Sequence, residues 1–273
     1  MLEIPEAQTI ARQLNETIVG KSIVHAVAAA SPHGFAFYFG DPATYGSMLD
    51  GKAITGAAAY GGRPEIWAED MRISFGDGVN VRYFAAGEKR PVKHQLLLEF
   101  DDGSAICCTV QMYGGLWAFT DGMKDDFYYN VAKEKPSPLS DAFDAAYFDS
   151  LLKDETKKLS AKAFLATEQR IPGLGNGVLQ DILWSAKIHP KRKMSSLPDN
   201  EFETLFLTVK NLLSEMTAKE GRDTEKDLFG NPGGFITTMS KKNDGMPCPV
   251  CGNLIRRMAY MGGNVYVCEN CQP

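Results

Sequence analysis

The sequence lacks any long apolar run. Its longest hydrophobic stretches fall well short of the roughly 20 residues that a membrane-spanning helix needs. The chain start also lacks the basic stretch of a secretory signal, because Glu3 and Glu6 stand where Lys or Arg would be expected. No internal repeat is visible. These absences predict a cytoplasmic protein without a membrane segment, whose thiols are reduced.

Positive charge is scarce in the chain as a whole. The net charge of −5 argues weakly against a nucleic-acid partner. The distribution points the other way, since residues 150–193 carry nine Lys or Arg against four Asp or Glu. An acidic chain can still present a basic groove. Each of these lysines could equally belong to a solvated helix face.

Four of the six cysteines form two Cys-x-x-Cys pairs near the end of the chain, at Cys248/Cys251 and Cys268/Cys271. The spacing is typical of a tetrahedral zinc site on a β-ribbon, with one hairpin that turns at Gly262-Gly263. Two disulfides are the alternative, and the predicted reducing compartment argues against them. Because four thiolates fill the coordination sphere, the single zinc ion is predicted to be structural.

The first half of the chain has β texture. Residue 20 closes an amphipathic helix over 6–18, and short strand-like runs separated by Gly, Asp and Asn fill 23–119. Many short strands favour a sandwich or barrel. Residues 121–140 are polar and aromatic and predict a linker, while residues 221–246 predict a loop.

Helical periodicity follows residue 140. The predicted helices cover 142–151, 161–167, 177–186 and 200–218. The predicted fold class is therefore multidomain α+β. Its expected units are an N-terminal β-sandwich over 1–125, a linker over 126–140, a helical domain over 141–235 and the zinc ribbon over 240–273.

A glycine turn, Pro172-Gly173-Leu174-Gly175-Asn176, separates two of the predicted helices. Its glycines allow close backbone approach, and the N-terminus of the following helix suits a phosphate. Alone, the turn could be ordinary helix packing. With the start Glu3-Ile4-Pro5-Glu6, the segment 186–197 and the four-cysteine ribbon, the chain resembles the formamidopyrimidine-DNA glycosylase/endonuclease VIII family, with the turn as its helix–two-turn–helix.

The resemblance implies a two-lobed clamp around bent double-stranded DNA, from which a damaged base is flipped out. In the family a terminal proline nitrogen attacks the sugar and forms a Schiff base, and the neighbouring glutamate handles protons. The implied site residues here are Glu3 and Glu6 for catalysis. Those implied for DNA binding are Gly173, Gly175, Asn176, Lys158, Lys162 and, as a wedge in the base stack, Met112.

The chain differs from the family at the positions of the catalytic residues. Leu2 occupies the position of the catalytic proline, and Met1 is expected to be retained, which places its amine roughly 3.5 Å out of register. No lysine stands near Gly61-Gly62, where the family has a phosphate-binding strand lysine, and Lys52 is the nearest.

Three hypotheses follow from these departures. The first is a monomeric DNA-repair protein that binds damaged or abasic duplex DNA with eroded catalytic residues. The second is an active glycosylase and abasic-site lyase with a different nucleophile, either the Met1 amine or Lys52. The third is a zinc-stabilised scaffold whose groove serves another ligand. Glu3 and Glu6 also have a structural interpretation, in which Glu6 caps the first helix and Glu3 pairs locally.

Overall fold

The computed structural model describes residues 2–124 and 126–273, so Met1 and the predicted boundary at Asp125 lie outside the described residues. The chain starts with helix α1 (Ile4–Ile18), which has Pro5 in its first turn and buries Ile10, Leu14 and Ile18. The predicted amphipathic helix is therefore confirmed, and it starts two residues earlier than expected. Because a proline in the first turn costs no helical hydrogen bond, the longer helix is compatible with Pro5.

Nine strands follow α1, with one short helix, α2 (Tyr45–Leu49), among them. They are β1 (Ile23–Ala28), β2 (Ala36–Tyr38), β3 (Ile54–Tyr60), β4 (Arg63–Ala68), β5 (Met71–Phe75), β6 (Val79–Phe84), β7 (Leu96–Phe100), β8 (Ala105–Val110) and β9 (Gly114–Thr120).

The strands form two sheets around one apolar core. One sheet has the order β1-β7-β8-β6 and is antiparallel. The other has the order β2-β9-β5-β4-β3, in which only β2 and β9 run parallel. Alternate residues of both sheets point into the shared core, where Phe75, Phe100 and Leu116 are fully buried. The predicted β-sandwich is confirmed.

Six helices follow the sandwich in the described chain, and the last five of them belong to the second lobe. They are α3 (Phe127–Glu134), α4 (Ala145–Ser150), α5 (Asp154–Lys157), α6 (Ala161–Ala166), α7 (Asn176–Ser185) and α8 (Asp199–Ala218). The four predicted helices are confirmed as α4, α6, α7 and α8. Helix α4 starts later than expected because the Asp144 side chain caps it by accepting a hydrogen bond from the Tyr147 amide (2.7 Å).

The predicted linker contains helix α3, which was not expected. The Asp126 carboxylate caps this helix by accepting from the Tyr129 amide (2.8 Å). The Tyr129 hydroxyl donates to Glu65 on the outer face of the five-stranded sheet (2.8 Å), which ties the helix to the first lobe. Helix α3 buries Tyr129 and Ala132, three residues apart, and leaves Phe127 and Tyr128 exposed.

The ribbon is a two-stranded hairpin of β10 (Arg256–Tyr260) and β11 (Gly263–Val267). Its turn is Met261-Gly262, with both residues at positive φ, one residue before the predicted turn. The hairpin packs with the four cysteines and Met239 in a small separate core. Among the described residues, no helix combines the length and the hydrophobicity needed to cross a membrane.

Candidate functional site

Two glycine turns bring the lobes into backbone contact. Gly61-Gly62 joins β3 to β4, and a Cβ atom placed on Gly173 would lie 2.2 Å from the Gly62 nitrogen. The Ile4 amide donates to the Gly173 carbonyl (3.1 Å). Gly173 has a φ of +81°, a conformation that also favours glycine. The close approach predicted for Gly173 is thus made within the chain, at the position where the family resemblance placed a strand lysine.

Glu3 occupies the N-terminus of helix α7. Its Oε1 accepts from the Gly177 amide (2.8 Å) and its Oε2 from the Val178 amide (2.7 Å). A Cβ atom on Gly175 would lie 2.6 Å from Glu3 Oε1, so Gly175 leaves room for this carboxylate. A carboxylate suits the partial positive charge of a helix start. Two of the amides expected to be open to a phosphate are therefore occupied by Glu3, whose carboxylate reaches residues far along the chain.

Glu6 is paired with Arg222, 216 residues away. Its Oε1 accepts from the Arg222 Nε (2.9 Å) and backbone amide (3.0 Å), and its Oε2 accepts from Nη2 (2.9 Å). The Glu3 amide also donates to Glu6 (3.2 Å), so the expected capping of the first helix by Glu6 is confirmed. Arg222 Nη1 lies 3.7 Å from Glu3, which places one guanidinium between two buried carboxylates.

The two glutamates differ in their proton affinity. Burial raises the pKa of Glu3, and its hydrogen bonds and Arg222 offset this only in part. Burial acts on Glu6 as well, but the close Arg222 guanidinium and its hydrogen bonds hold the pKa of Glu6 below its ordinary value. Of the two carboxylates, Glu3 therefore binds a proton more readily than Glu6.

Sequence reasoning missed Arg222. It lies in the polar, glycine-rich segment 221–246, where a charged side chain is expected to be solvated. Only its position after the long helix α8 could have drawn attention to it, since that segment returns the chain to α1 through Gly221.

Leu2 is packed into the core of the first lobe and is 6% exposed. It borders two cavities. A cavity of about 140 Å³ also borders Glu3, Arg63 and Gly175. Another of about 280 Å³ lies between the turn that carries Met112 and the loop after α8. Met1 lies outside the described residues. At the position of the family's proline the structure therefore has a buried aliphatic side chain.

Lys52 lies apart from these cavities. Its ammonium pairs with Asp70 (2.6 Å) and Glu69 (3.2 Å), and their hydrogen bonds raise its pKa. A lysine held protonated is a poor nucleophile. This pairing argues against Lys52 as the replacement nucleophile.

The residues expected to bind DNA fall into two groups. Met112 is 72% exposed in the turn between β8 and β9, and Lys158 is exposed after α5. Asn176 and Lys162 instead contact the ribbon: Asn176 Nδ2 donates to the Asn264 carbonyl (2.9 Å), and Lys162 Nζ donates to the Tyr260 carbonyl (2.7 Å). Burial lowers the pKa of Lys162. These two side chains hold the hairpin against helices α6 and α7.

The four predicted cysteine ligands lie together. One ligand atom from each falls within 4.8 Å of the others. The Sγ atoms of Cys248 and Cys271 are 3.8 Å apart, and those of Cys251 and Cys268 are 3.4 Å apart. Four sulfurs at about 2.3 Å from a tetrahedral metal ion would be about 3.8 Å apart. The cluster therefore fits a tetrahedral metal ion.

Comparison with known proteins agrees with this arrangement. Residues 135–227 match the family model of the formamidopyrimidine-DNA glycosylase H2TH domain. The formamidopyrimidine-DNA glycosylase of Symbiobacterium thermophilum is 29% identical over 100% of this chain and 90% of its own length. That of Lactococcus lactis is 28% identical over 100% of this chain and 99% of its own.

Solved structures show the same fold. The Lactococcus lactis Fpg in complex with DNA containing an abasic site superposes with a TM-score of 0.83 at 22% identity, covering 99% of both chains. The MutM (Fpg) protein of Thermus thermophilus superposes with a TM-score of 0.81 at 22% identity, covering 99% of this chain and 98% of its own. Over residues 135–227 the chain thus matches the helix–two-turn–helix domain, and over its whole length it is similar in sequence and fold to formamidopyrimidine-DNA glycosylases.

Proposed function

We propose that this protein binds double-stranded DNA at damaged or abasic sites and has lost most of the family's base-excision activity. The observation that carries the proposal is Leu2, an apolar side chain packed into the first lobe at the position of the family's nucleophilic proline. The relatives are named DNA glycosylases, and one relative structure contains abasic DNA. The DNA would lie across the mouth of the cleft between the lobes.

The features that support DNA binding are separate from the nucleophile. Met112 projects from the rim of the 280 Å³ cavity and could wedge into the base stack. Lys158 is exposed and could meet the phosphate backbone. Asn176 and Lys162 would act through the ribbon hairpin that they hold.

Residual chemistry would depend on a primary amine at the chain start and on Glu3. A primary amine forms a Schiff base with the aldehyde of an abasic site, which needs no base excision. The raised pKa of Glu3 suits a group that takes up and returns a proton. Excision of an intact base needs a nucleophile placed within about 1 Å, and Leu2 does not supply one.

We also propose that the metal is a single structural zinc ion bound by Cys248, Cys251, Cys268 and Cys271. An all-thiolate tetrahedral set is the usual environment of structural zinc in intracellular proteins. Such a site leaves no open coordination position, so the ion stabilises the ribbon and takes no part in catalysis.

The test combines borohydride trapping with a binding assay. Duplexes that contain an abasic site, 8-oxoguanine or thymine glycol are compared with the intact duplex. We expect preferential binding of the abasic duplex, slow trapping on it, and weak or absent excision of the two oxidised bases. Multiple-turnover excision of an oxidised base would overturn the loss of activity and make the protein an active glycosylase with an unidentified nucleophile.

A second candidate is a non-catalytic scaffold whose cleft serves another ligand. The capture of Asn176 and Lys162 by the ribbon favours it, since both were expected to contact phosphates. The same binding assay distinguishes the two candidates. If the cleft serves another ligand, we expect no affinity for intact or abasic duplex at low salt.

A further inference from the structure

Three phenylalanines lie on the edge strand β2 or next to its ends, with Phe37 in the strand and Phe35 and Phe39 just outside it. Phe35, Phe37 and Phe39 are 63%, 51% and 37% exposed, whereas Ala36 and Tyr38 between them pack towards the core. Exposed aromatic side chains in such a row are unusual for a protein surface and mark a binding site. We call these three residues the phenylalanine stripe.

The phenylalanine stripe adjoins the turn between β8 and β9, which carries Met112, the residue proposed to wedge into the base stack. The Gly114 amide, just after Met112 and Tyr113, donates to the Phe35 carbonyl (2.9 Å). Met112 and Tyr113 are themselves exposed and border the cleft between the lobes. Phe37 lies opposite Gly115, and the Trp117 ring occupies the space where a side chain of Gly115 would be. The stripe therefore runs away from the rim of the cleft.

The surroundings of the stripe are positively charged on one side. The Ser31 amide donates a hydrogen bond to the His94 carbonyl (3.0 Å). This contact brings the β6–β7 loop close to the segment that leads into the stripe. That loop carries exposed Lys89 and Lys93. Its one acid, Glu88, is engaged with the Ala85 amide (3.0 Å). This charge suits a polyanion.

Rings carried by alternate residues of an extended chain suit single-stranded rather than double-stranded DNA. Alternate residues of an extended strand are about 6.6 Å apart. Bases stacked in a duplex rise only about 3.4 Å per nucleotide, and their faces are covered by neighbouring bases. A stretched single strand can place successive bases on rings at the wider spacing, and base–aromatic stacking needs no particular sequence.

We propose that the phenylalanine stripe binds single-stranded DNA that continues from the duplex held in the cleft, so that the preferred ligand is a duplex with an adjoining unpaired segment. This proposal rests on the proposed function, because the cleft must hold the duplex. The expected ligands are tailed, gapped or bubbled duplexes.

The experiment measures fluorescence anisotropy at one salt concentration with two DNAs, a blunt abasic duplex and the same duplex with an unpaired thymidine tail. The wild type should bind the tailed DNA about tenfold more tightly. The Phe35→Ala/Phe37→Ala variant should lose this preference and keep its affinity for the blunt duplex. Phe37→Trp should retain the preference, and Leu207→Ala, an exposed apolar position on α8, should leave both affinities unchanged.

Three outcomes would overturn the proposal in distinguishable ways. If the wild type binds neither DNA, the proposed function itself fails. If it binds both DNAs equally, or if the double variant keeps the tail preference, the stripe has no role in DNA binding. If the double variant instead abolishes a concentration-dependent dimer in sedimentation while the tail preference persists, the stripe is an interface between two copies of the chain.

Discussion

Leu2 is the residue on which the proposed chemistry depends. Its side chain is packed among apolar residues of the first lobe, so it acts as an anchor for the chain start. A proline in its place would permit removal of the preceding methionine and leave a secondary amine at the chain start. A secondary amine in register is the nucleophile that the family uses.

Leu2→Pro should therefore increase borohydride trapping on abasic DNA, at a cost of about 2 kcal/mol in the free energy of unfolding from lost packing. Leu2→Ala is the matched control, because it also permits methionine removal but leaves a primary amine. Trapping by both variants at the same level would show that register matters and the secondary amine does not. No increase in either would contradict the role given to position 2.

Glu6 and Arg222 form a buried ion pair on which the stability of the fold depends. The folded-state pKa of Glu6 is lowered, so the pair stabilises the fold above the unfolded pKa of about 4.3, and this contribution is lost as the pH falls through the lower folded pKa. At pH 7 we expect Glu6→Gln to lower the free energy of unfolding by about 3 kcal/mol, because it leaves Arg222 buried with an incomplete partner. In urea unfolding series, the difference from the wild type should shrink below about pH 4. A difference independent of pH would contradict an ionised Glu6.

The glycine turns are the decisive feature at the level of elements. Gly173 combines a positive φ with backbone atoms of Gly61 and Gly62 at close range. Gly173→Ala should destabilise the protein by about 3 kcal/mol through overpacking and backbone strain. Gly245→Ala is the matched control, since its φ of +79° is nearly the same and its surroundings are open. Equal melting temperatures for the two variants would show that the lobes do not depend on this contact.

The ribbon hairpin depends on two side chains of the helical lobe. Lys162→Ala should weaken duplex binding by misplacing the hairpin and should increase hydrogen exchange of the Tyr260 region. Lys158→Ala, at an exposed position, should weaken binding through a lost phosphate contact and reduce the salt slope by about one. A salt slope that falls equally in both variants would mean that Lys162 reaches a phosphate in the complex.

The sequence predicted elements where its pattern is regular. Helix α8 and the strands of the sandwich follow from periodicity, and the cysteine cluster follows from spacing. Helix α3 was missed because Phe127 and Tyr128 are exposed and Tyr129 is held by Glu65 of a distant strand. The Glu3–Glu6–Arg222 centre was only half predicted, since a contact across 216 residues leaves no local signal.

At the scale of the whole molecule, the proposed metal site would stabilise the last part of the chain. The ribbon core contains little besides the cysteines, Met239, Ile255 and Tyr266, too few apolar residues to fold alone. We expect one zinc ion per chain by metal analysis. Chelation or Cys268→Ser should unfold the final thirty or so residues and leave the sandwich intact by circular dichroism. Less than half an equivalent of zinc in undamaged protein would contradict the site.

The hydrogen bonds that join the two lobes link residues synthesised first to residues synthesised late. Ile4, Glu3 and Glu6 bind partners at positions 173, 177, 178 and 222. During synthesis, which delivers the chain from its N-terminus, the two carboxylates stay without their guanidinium until the ribosome has released residue 222. A nascent or truncated chain that ends after α8 would hold a nearly complete sandwich with two unneutralised acids at its edge. The Glu3–Glu6–Arg222 centre can therefore form only after the helical lobe has been synthesised.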